Sequence, residues 1–283
     1  MENWTADIEF ERIGPLMRLV KKFIFNPLAN HLPAQWWRTW LREGQSELAL
    51  ANWNDPGGWR SMVISYEGNP EKTWDRMLVK GGTVPMALRN RRRLTARLCA
   101  RLIDQAGHDP AHAMCLGAGP GLTIMDAMQA AKKNSFATLV DISSDAFDYG
   151  QAEAKRRGLA DRVKYIQADV RDVKQMLDRP VDLVELIGIC EYLDDEHIVS
   201  IVQALGTMMD PGTAVVFNSI SDRHGTDRFF RNVFGLHMHH RSPEQIEALL
   251  KPAGFGEFRH FPEPLGVYTV VVGTKSAARK GIA

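Results

Sequence analysis

From residue 113 to residue 217 short apolar runs alternate with amphipathic helical stretches, and this alternation constrains the chain more than any other feature. Residues 113–116, 137–140, 163–166, 181–187 and 214–217 read as strands, with helices expected at 122–131, 144–157, 171–177 and 194–208. Strands separated by a crossover helix run parallel, and a parallel sheet needs helices on both faces to keep its backbone dry. Two more strand-like runs, 255–261 and 267–274, are separated only by Pro262-Glu263-Pro264-Leu265-Gly266. That link is too short for a crossover, so the last strand should return antiparallel. The expected fold class is α/β, a Rossmann-like seven-stranded sheet with an antiparallel last strand.

The segment before this alternation is built differently. All seven tryptophans, Trp4, Trp36, Trp37, Trp40, Trp53, Trp59 and Trp74, precede residue 75. Helical spacing of apolar residues predicts an amphipathic helix over 13–28, ended near Asn26-Pro27, a second over 33–51, and a third over 84–106. Arg89, Arg91, Arg92 and Arg93 in the third are expected on a solvated face, with a phosphate or carboxylate partner as the alternative. We therefore expect an N-terminal helical cap over 1–84, a cofactor domain over 85–275 and a short tail over 276–283.

Composition narrows the partners. Thirty-five Lys and Arg against 34 Asp and Glu leave a formal charge of +1, so no single-sign field is available to hold a polyanion, and nucleic acid is not expected. Cys99, Cys115 and Cys190 are widely spaced and form no CxxC pair, which fits a reducing compartment. The first ten residues carry acids rather than the basic and apolar blocks of an export signal, and no run reaches the roughly 18 apolar residues of a membrane span. A cytoplasmic protein without membrane association is expected; nothing in the sequence sets its oligomeric state.

The first strand leads through Cys115-Leu116 into Gly117-Ala118-Gly119-Pro120-Gly121-Leu122, where a helix begins. Glycines at such a turn let the backbone approach a ligand, and the helix N-terminus adds a favourable dipole. A dinucleotide fingerprint would want its third glycine at Leu122, which argues against NAD or FAD. The second strand ends at Asp141, 24 positions after Gly117 (141 − 117), where a carboxylate can accept both hydroxyls of a ribose. The third ends at Asp169, beside the crevice where an adenine amino group could be held.

A glycine turn and two acids on three successive strands resemble the class I S-adenosylmethionine-dependent methyltransferases over roughly residues 85–275. The resemblance implies S-adenosyl-L-methionine as cofactor, with Gly117, Ala118, Gly119 and Gly121 along its methionine portion, Asp141 on the ribose, Asp169 on the adenine amino group, and Ile142 and Val170 flanking the ring. Many members carry an acid two residues before the first glycine; this chain has Cys115. The loop also looks like that of the nicotianamine synthases, which transfer the aminocarboxypropyl arm instead of the methyl group.

Ligands of open α/β sheets bind beyond the carboxyl ends of the strands. Glu185, Gly188, Glu191 and Tyr192 follow the fourth strand, and Asn218, Ser219, Ser221, Arg223 and His224 follow the fifth. Tyr192, His224 and Glu191 are the candidate catalytic proton handlers; Asn218, Ser219 and, from the cap, Tyr66 are candidate substrate contacts. The run His237, His239 and His240 has no acid beside it before Glu244, so no metal site is expected and the run is read as a loop at the pocket mouth. The expected activity is methyl transfer to an O, N or S nucleophile of a small molecule, with aminocarboxypropyl chemistry and non-catalytic cofactor binding as alternatives.

Overall fold

The computed structural model describes residues 4–175 and 180–277. Before the sheet come α1 (Pro15–Val20), α2 (Asn26–His31), α3 (Ala34–Glu43), α4 (Glu47–Asn54), α5 (Trp59–Glu67), α6 (Thr73–Asp75) and the long α7 (Thr83–Gln105). Then β1 (Ala111–Leu116), α8 (Leu122–Ala130), β2 (Ser135–Asp141), α9 (Asp145–Arg156), β3 (Val163–Gln167), β4 (Leu183–Leu186), α10 (Asp195–Met208) and β5 (Ala214–Ile220) alternate. The chain closes with α11 (Asp227–Phe229), α12 (Pro243–Leu250), β6 (Phe255–Pro262) and β7 (Tyr268–Lys275).

The seven strands lie in the order β3-β2-β1-β4-β5-β7-β6. β1 to β5 pair in parallel, and β7 enters antiparallel between β5 and β6, so the expected seven-stranded sheet with its reversed last strand is present. All six residues of β1 and all seven of β5 are buried, as strands covered on both faces must be. One face packs Leu94, Leu98 and Ile103 of α7 with Ile124 and Met125 of α8; the other packs Ile198, Ile201 and Leu205 of α10 with Ile246 of α12. The expected helix at 171–177 is a short 3₁₀ segment, Val170–Gln175, and residues 176 and 177 lie outside the described residues.

Three expectations for the N-terminal part need correction. The first helix does not end at Asn26-Pro27. A π-type turn at Lys21–Phe25, in which Asn26 N–H donates to the Lys21 carbonyl, carries it into α2, and Pro27 falls in that helix's first turn, where its missing N–H costs nothing. The helix expected over 33–51 is two helices. Gly44 interrupts it at a close approach to Trp74, where a Cβ would lie 2.1 Å from the indole Cδ1, and Ser46 caps the second piece through Ala49 N–H. The arginines of α7 are not a solvated face. Arg89 and Arg91 are buried, Arg89 against Glu11 at 2.6 Å and Arg91 against Glu191 at 3.0 Å, and Arg92 pairs with Asp126 at 2.8 Å. Helical periodicity cannot reveal such distant partners.

The tryptophans divide the same way. Trp4 stacks on Phe261 at 5.9 Å and belongs to the core of the sheet, whereas Trp40 and Trp74 stack at 6.2 Å and Trp37 meets Phe229 edge-on at 5.3 Å in a separate cluster. That second cluster joins the N-terminal helices to the segment after β5. No helix among the described residues is long and apolar enough to cross a membrane.

Candidate functional site

A cleft of about 590 Å³ opens at the carboxyl ends of the parallel strands. Its floor is the turn from β1 to α8. Gly117, Gly119 and Gly121 all take positive φ, at 65°, 51° and 76°, a backbone that side chains resist. Space is equally restrictive: a Cβ would stand 2.6 Å from Ile189 Cδ1 at Gly117 and 2.2 Å from Leu139 Cδ1 at Gly121. The turn thus presents bare backbone to the cleft, with the N-terminus of α8 behind it.

Asp141, the last residue of β2, braces this turn. Its Oδ2 accepts from Gly119 N–H at 2.7 Å and its Oδ1 from Ser143 N–H at 2.9 Å. Beside it Ile142 is 68% exposed, an apolar side chain held over the cleft with nothing on it. Asp169 sits beyond β3 and is gripped by Arg171, whose guanidinium holds its carboxyl down to about 2. Gly117, Ala118, Gly119, Gly121, Asp141, Ile142, Asp169 and Val170 all line the one cleft.

Where the glycine motif carries Cys115 in place of an acid, the neighbouring strand supplies one. Register pairs Cys115 with Glu185 of β4, and the thiol donates to the Glu185 carboxylate, which also lines the cleft. Glu185 is only 7% exposed; burial raises its pKa, against the opposing pull of the Cys115 hydrogen bond and the Arg91 charge. Sequence reading placed Glu185 after the fourth strand and gave it no role. The signal was present only as a pairing across strands.

The candidate catalytic residues separate on inspection. Tyr192 and Tyr66 line the cleft. Burial pushes the Tyr192 phenol well above its ordinary range, so at neutral pH it is a hydrogen-bond donor and not a base. Glu191 lies beneath the floor, 2% exposed, and binds Arg91; its other oxygen accepts from Asn218 Nδ2 at 3.3 Å, while Asn218 Oδ1 accepts from Gly188 N–H at 2.8 Å. Arg91 reaches the cleft wall from below, with Nη2 3.3 Å from Tyr66 Oη and the guanidinium 4.5 Å from the Tyr268 ring. Asn218 and Glu191 therefore hold the floor rather than line it.

Ser219 is buried in β5, away from the lining, and His224 is buried in the segment beyond it. Desolvation brings the His224 imidazole down to about 4, with His240 adding to the shift, so it is neutral at pH 7. The histidine that does line the cleft from that region is His239, whose backbone N–H is anchored to the Glu191 carbonyl at 2.8 Å; His197 lines it too, tied to Asp194 at 2.7 Å.

The roof comes from the N-terminal helices. Asp55, Gly57, Trp59, Met62 and Tyr66 face the floor, and a Cβ on Gly57 would stand 2.4 Å from Tyr192 Oη. Gly119 passes so close under Trp59 that an added Cβ would lie 3.3 Å from the Trp59 Cβ. Trp53 Nε1 donates to the Val233 carbonyl at 2.8 Å, fastening this roof to the segment after β5.

Comparison with known proteins agrees with this geometry. Residues 113–212 match the model of a methyltransferase domain family. A curated relative, the tRNA 5-carboxymethoxyuridine methyltransferase of Escherichia coli strain K12, is 26% identical over 139 residues, 49% of this chain and 47% of that protein. The chain thus spans about half the length of the curated relatives it matches. Among solved structures, a possible exported protein from Bordetella parapertussis superposes with a TM-score of 0.65 at 16% identity, covering 92% of this chain and 85% of that one. Magnesium protoporphyrin IX methyltransferase from Synechocystis PCC 6803, solved with S-adenosylmethionine bound, gives 0.55 at 13% identity over 84% and 97%. Residues 113–212 are a class I S-adenosylmethionine-dependent methyltransferase domain, and S-adenosyl-L-methionine is its cofactor. The lining is compatible with that molecule: the glycine cradle admits no side chain, Ile142 is an exposed apolar residue on the wall, and Glu185 is a buried acid among the lining residues.

Proposed function

From that domain as premise, we propose that the chain methylates an O, N or S nucleophile of a small molecule, in the cleft between an N-terminal cap (1–84) and the cofactor domain (85–275). The observation that carries this reading is the roof: Trp59 and Tyr66 close the strand-end cleft from above, to a volume of about 590 Å³, within the range of small-ligand sites. S-adenosylmethionine supplies an activated methyl group on a sulfonium, so the protein has to align the nucleophile, exclude water and manage one proton.

In this reading Gly117, Ala118, Gly119 and Gly121 follow the methionine portion. Asp141 takes the ribose hydroxyls, Asp169 the adenine amino group, and Ile142 and Val170 the faces of the ring. Glu185 receives the ammonium that an acid at position 115 would otherwise hold. Tyr192 donates a hydrogen bond that orients the acceptor, and Tyr66, held by Arg91, flanks it. His239 at the cleft wall is the group placed to take the acceptor's proton. Glu191, Asn218 and Arg91 keep the floor in place. His224 and Ser219, which do not line the cleft, have no part in the transfer. Three free, buried cysteines suit the reducing cytoplasm in which we place the protein.

The test is incubation with S-adenosylmethionine and fractionated cell extract, with products identified by mass spectrometry. S-adenosylhomocysteine together with a methylated small molecule is expected. Methylated tRNA would overturn the acceptor class, and methylthioadenosine would overturn methyl transfer itself.

A further inference from the structure

Outside the cleft three side chains converge from separate pieces of chain. His224, Asp227 and His240 each offer a ligand atom within 4.8 Å of the other two, with His240 Nε2 and Asp227 Oδ1 at 3.7 Å. His224 Nε2, Asp227 Oδ1 and His240 Nε2 are shut off from solvent, and none has a hydrogen-bond partner. His224 as a whole is 1% exposed. Buried polar atoms normally find partners, and three orphans on three clustered residues point to a single explanation. The outward atoms of two of these groups are already committed: His224 Nδ1 lies 2.9 Å from Thr226 Oγ1, and Asp227 Oδ2 accepts from Arg231 Nη2 at 2.6 Å.

We propose that His224, Asp227 and His240 bind a divalent transition metal of the zinc class through these three atoms. Two imidazoles and one carboxylate make a donor set suited to zinc and its neighbours rather than to calcium or magnesium. Ligand atoms around tetrahedral zinc, each about 2.0–2.2 Å from the ion, sit roughly 3.3–3.6 Å apart; the His240–Asp227 pair at 3.7 Å is already near that spacing, the widest separation of up to 4.8 Å closes by about 1 Å on binding, and a water completes the four. Thr226 holds the His224 ring through Nδ1, with its Oγ1 at 2.9 Å and its backbone N–H at 3.2 Å; binding the ion through Nε2 requires the tautomer in which Nδ1–H donates to Thr226 Oγ1.

The location suggests what the ion does. The Asn26 and Asn30 side chains of α2 donate to the carbonyls of His224 and Gly225 at 3.2 and 2.8 Å, and Phe229 N–H donates to Asn30 Oδ1 at 3.1 Å. The ion would clasp the shelf on which the N-terminal helices rest. This does not depend on the methyl-transfer reading. Of the histidine run expected to be metal-free, His239 goes to the cleft and His240 to this cluster; the acid that sequence adjacency did not offer is Asp227.

The test uses the full chain, stripped with a chelator and titrated with Zn²⁺ against a chromophoric competitor, with Co²⁺ as a spectroscopic stand-in. One Zn²⁺ per chain is expected, with an intense visible Co²⁺ band and a rise in the wild-type melting temperature on adding Zn²⁺. His240→Ala and Asp227→Asn should each weaken binding by more than about 100-fold, since even outer partners of metal ligands are worth 10–100-fold, while His237→Ala leaves it unchanged. A wild-type chain that takes up no Zn²⁺, or one whose uptake survives both ligand variants, overturns the proposal. Because the wild-type titration and the Co²⁺ spectrum need no variant, a variant that fails to fold does not shield it.

Discussion

The sheet and the N-terminal helices bury aromatic and aliphatic side chains alike, yet they are ordered by different means. In the sheet each element answers to a local pattern: continuous apolar strands, helices with one apolar face, glycines where the backbone must turn. In the helices before α7 local pattern is a poor guide. Leu16, Leu19 and Phe23 remain exposed at 74%, 55% and 66%, and two π-type turns, Lys21–Phe25 and Arg76–Lys80, interrupt the periodicity. Their order comes from distant partners such as Phe229, Val233 and Gly225. On the proposed function, cofactor chemistry belongs to the part of the molecule with strict local rules and acceptor choice to the part whose geometry depends on tertiary contacts.

The largest effect should come within the sheet region, at the buried charge pair on which Tyr66 of the roof rests. Glu191→Ala leaves Arg91 unpaired beneath the cleft and should cost about 3–5 kcal/mol of stability in denaturant unfolding, as loss of one partner of a buried pair does. A cost below about 1 kcal/mol would show that Arg91 finds water or another acceptor, and that the floor is looser than described.

A smaller effect, confined to the roof, is expected from Trp59→Ala. Removing this aromatic side chain from the cleft lining should weaken S-adenosylmethionine binding by about tenfold, the order of one cation–π or stacking contact, while the melting temperature stays near that of the wild type. Equal affinity would mean that the cap does not reach the cofactor.

Glu185→Gln separates binding from stability by sign. Burial raises the Glu185 pKa, so the fold favours its protonated form. The charged form therefore penalises the native state increasingly as pH rises from the ordinary carboxylate range through the raised value. Gln removes the penalty, so the variant should melt higher than wild type at neutral pH and equally at acid pH. It should also bind S-adenosylmethionine about 10–100-fold more weakly, having lost a charge-assisted bond to the ammonium. Wild-type affinity should fall as pH is lowered toward the range in which Glu185 takes up its proton, read by calorimetric titration across pH; unchanged affinity in the Gln variant would remove Glu185 from the site. The smallest effect belongs to Arg171→Ala. Its pair with Asp169 is exposed, so the melting temperature should not move, and a clear drop would show that the Asp169 loop is structurally more demanding than its exposure implies.

The sheet, its strand direction and the glycine turn with Asp141 and Asp169 were legible because period, turn chemistry and spacing are local. Glu185 was not, since its relation to Cys115 exists only across paired strands. Arg91 read as a surface residue because its partner Glu191 lies 100 positions away. His224 looked like a site residue because it follows β5, yet Asn26 of α2 holds its carbonyl and its ring packs against Phe230 and His240, outside the cleft lining. Residues at strand ends are brought to the cleft by topology, whereas residues a few positions further on follow loops whose course no periodicity encodes.

The central claim is that the strand-end cleft holds S-adenosylmethionine with Asp141 on its ribose. Calorimetric titration of the cofactor into wild type and Asp141→Ala, each checked by melting temperature, tests it most directly. One site per wild-type chain and at least about 30-fold weaker binding by a folded variant are predicted, the loss expected for charge-assisted bonds to two hydroxyls. Equal affinity in a folded Asp141→Ala chain would contradict the account.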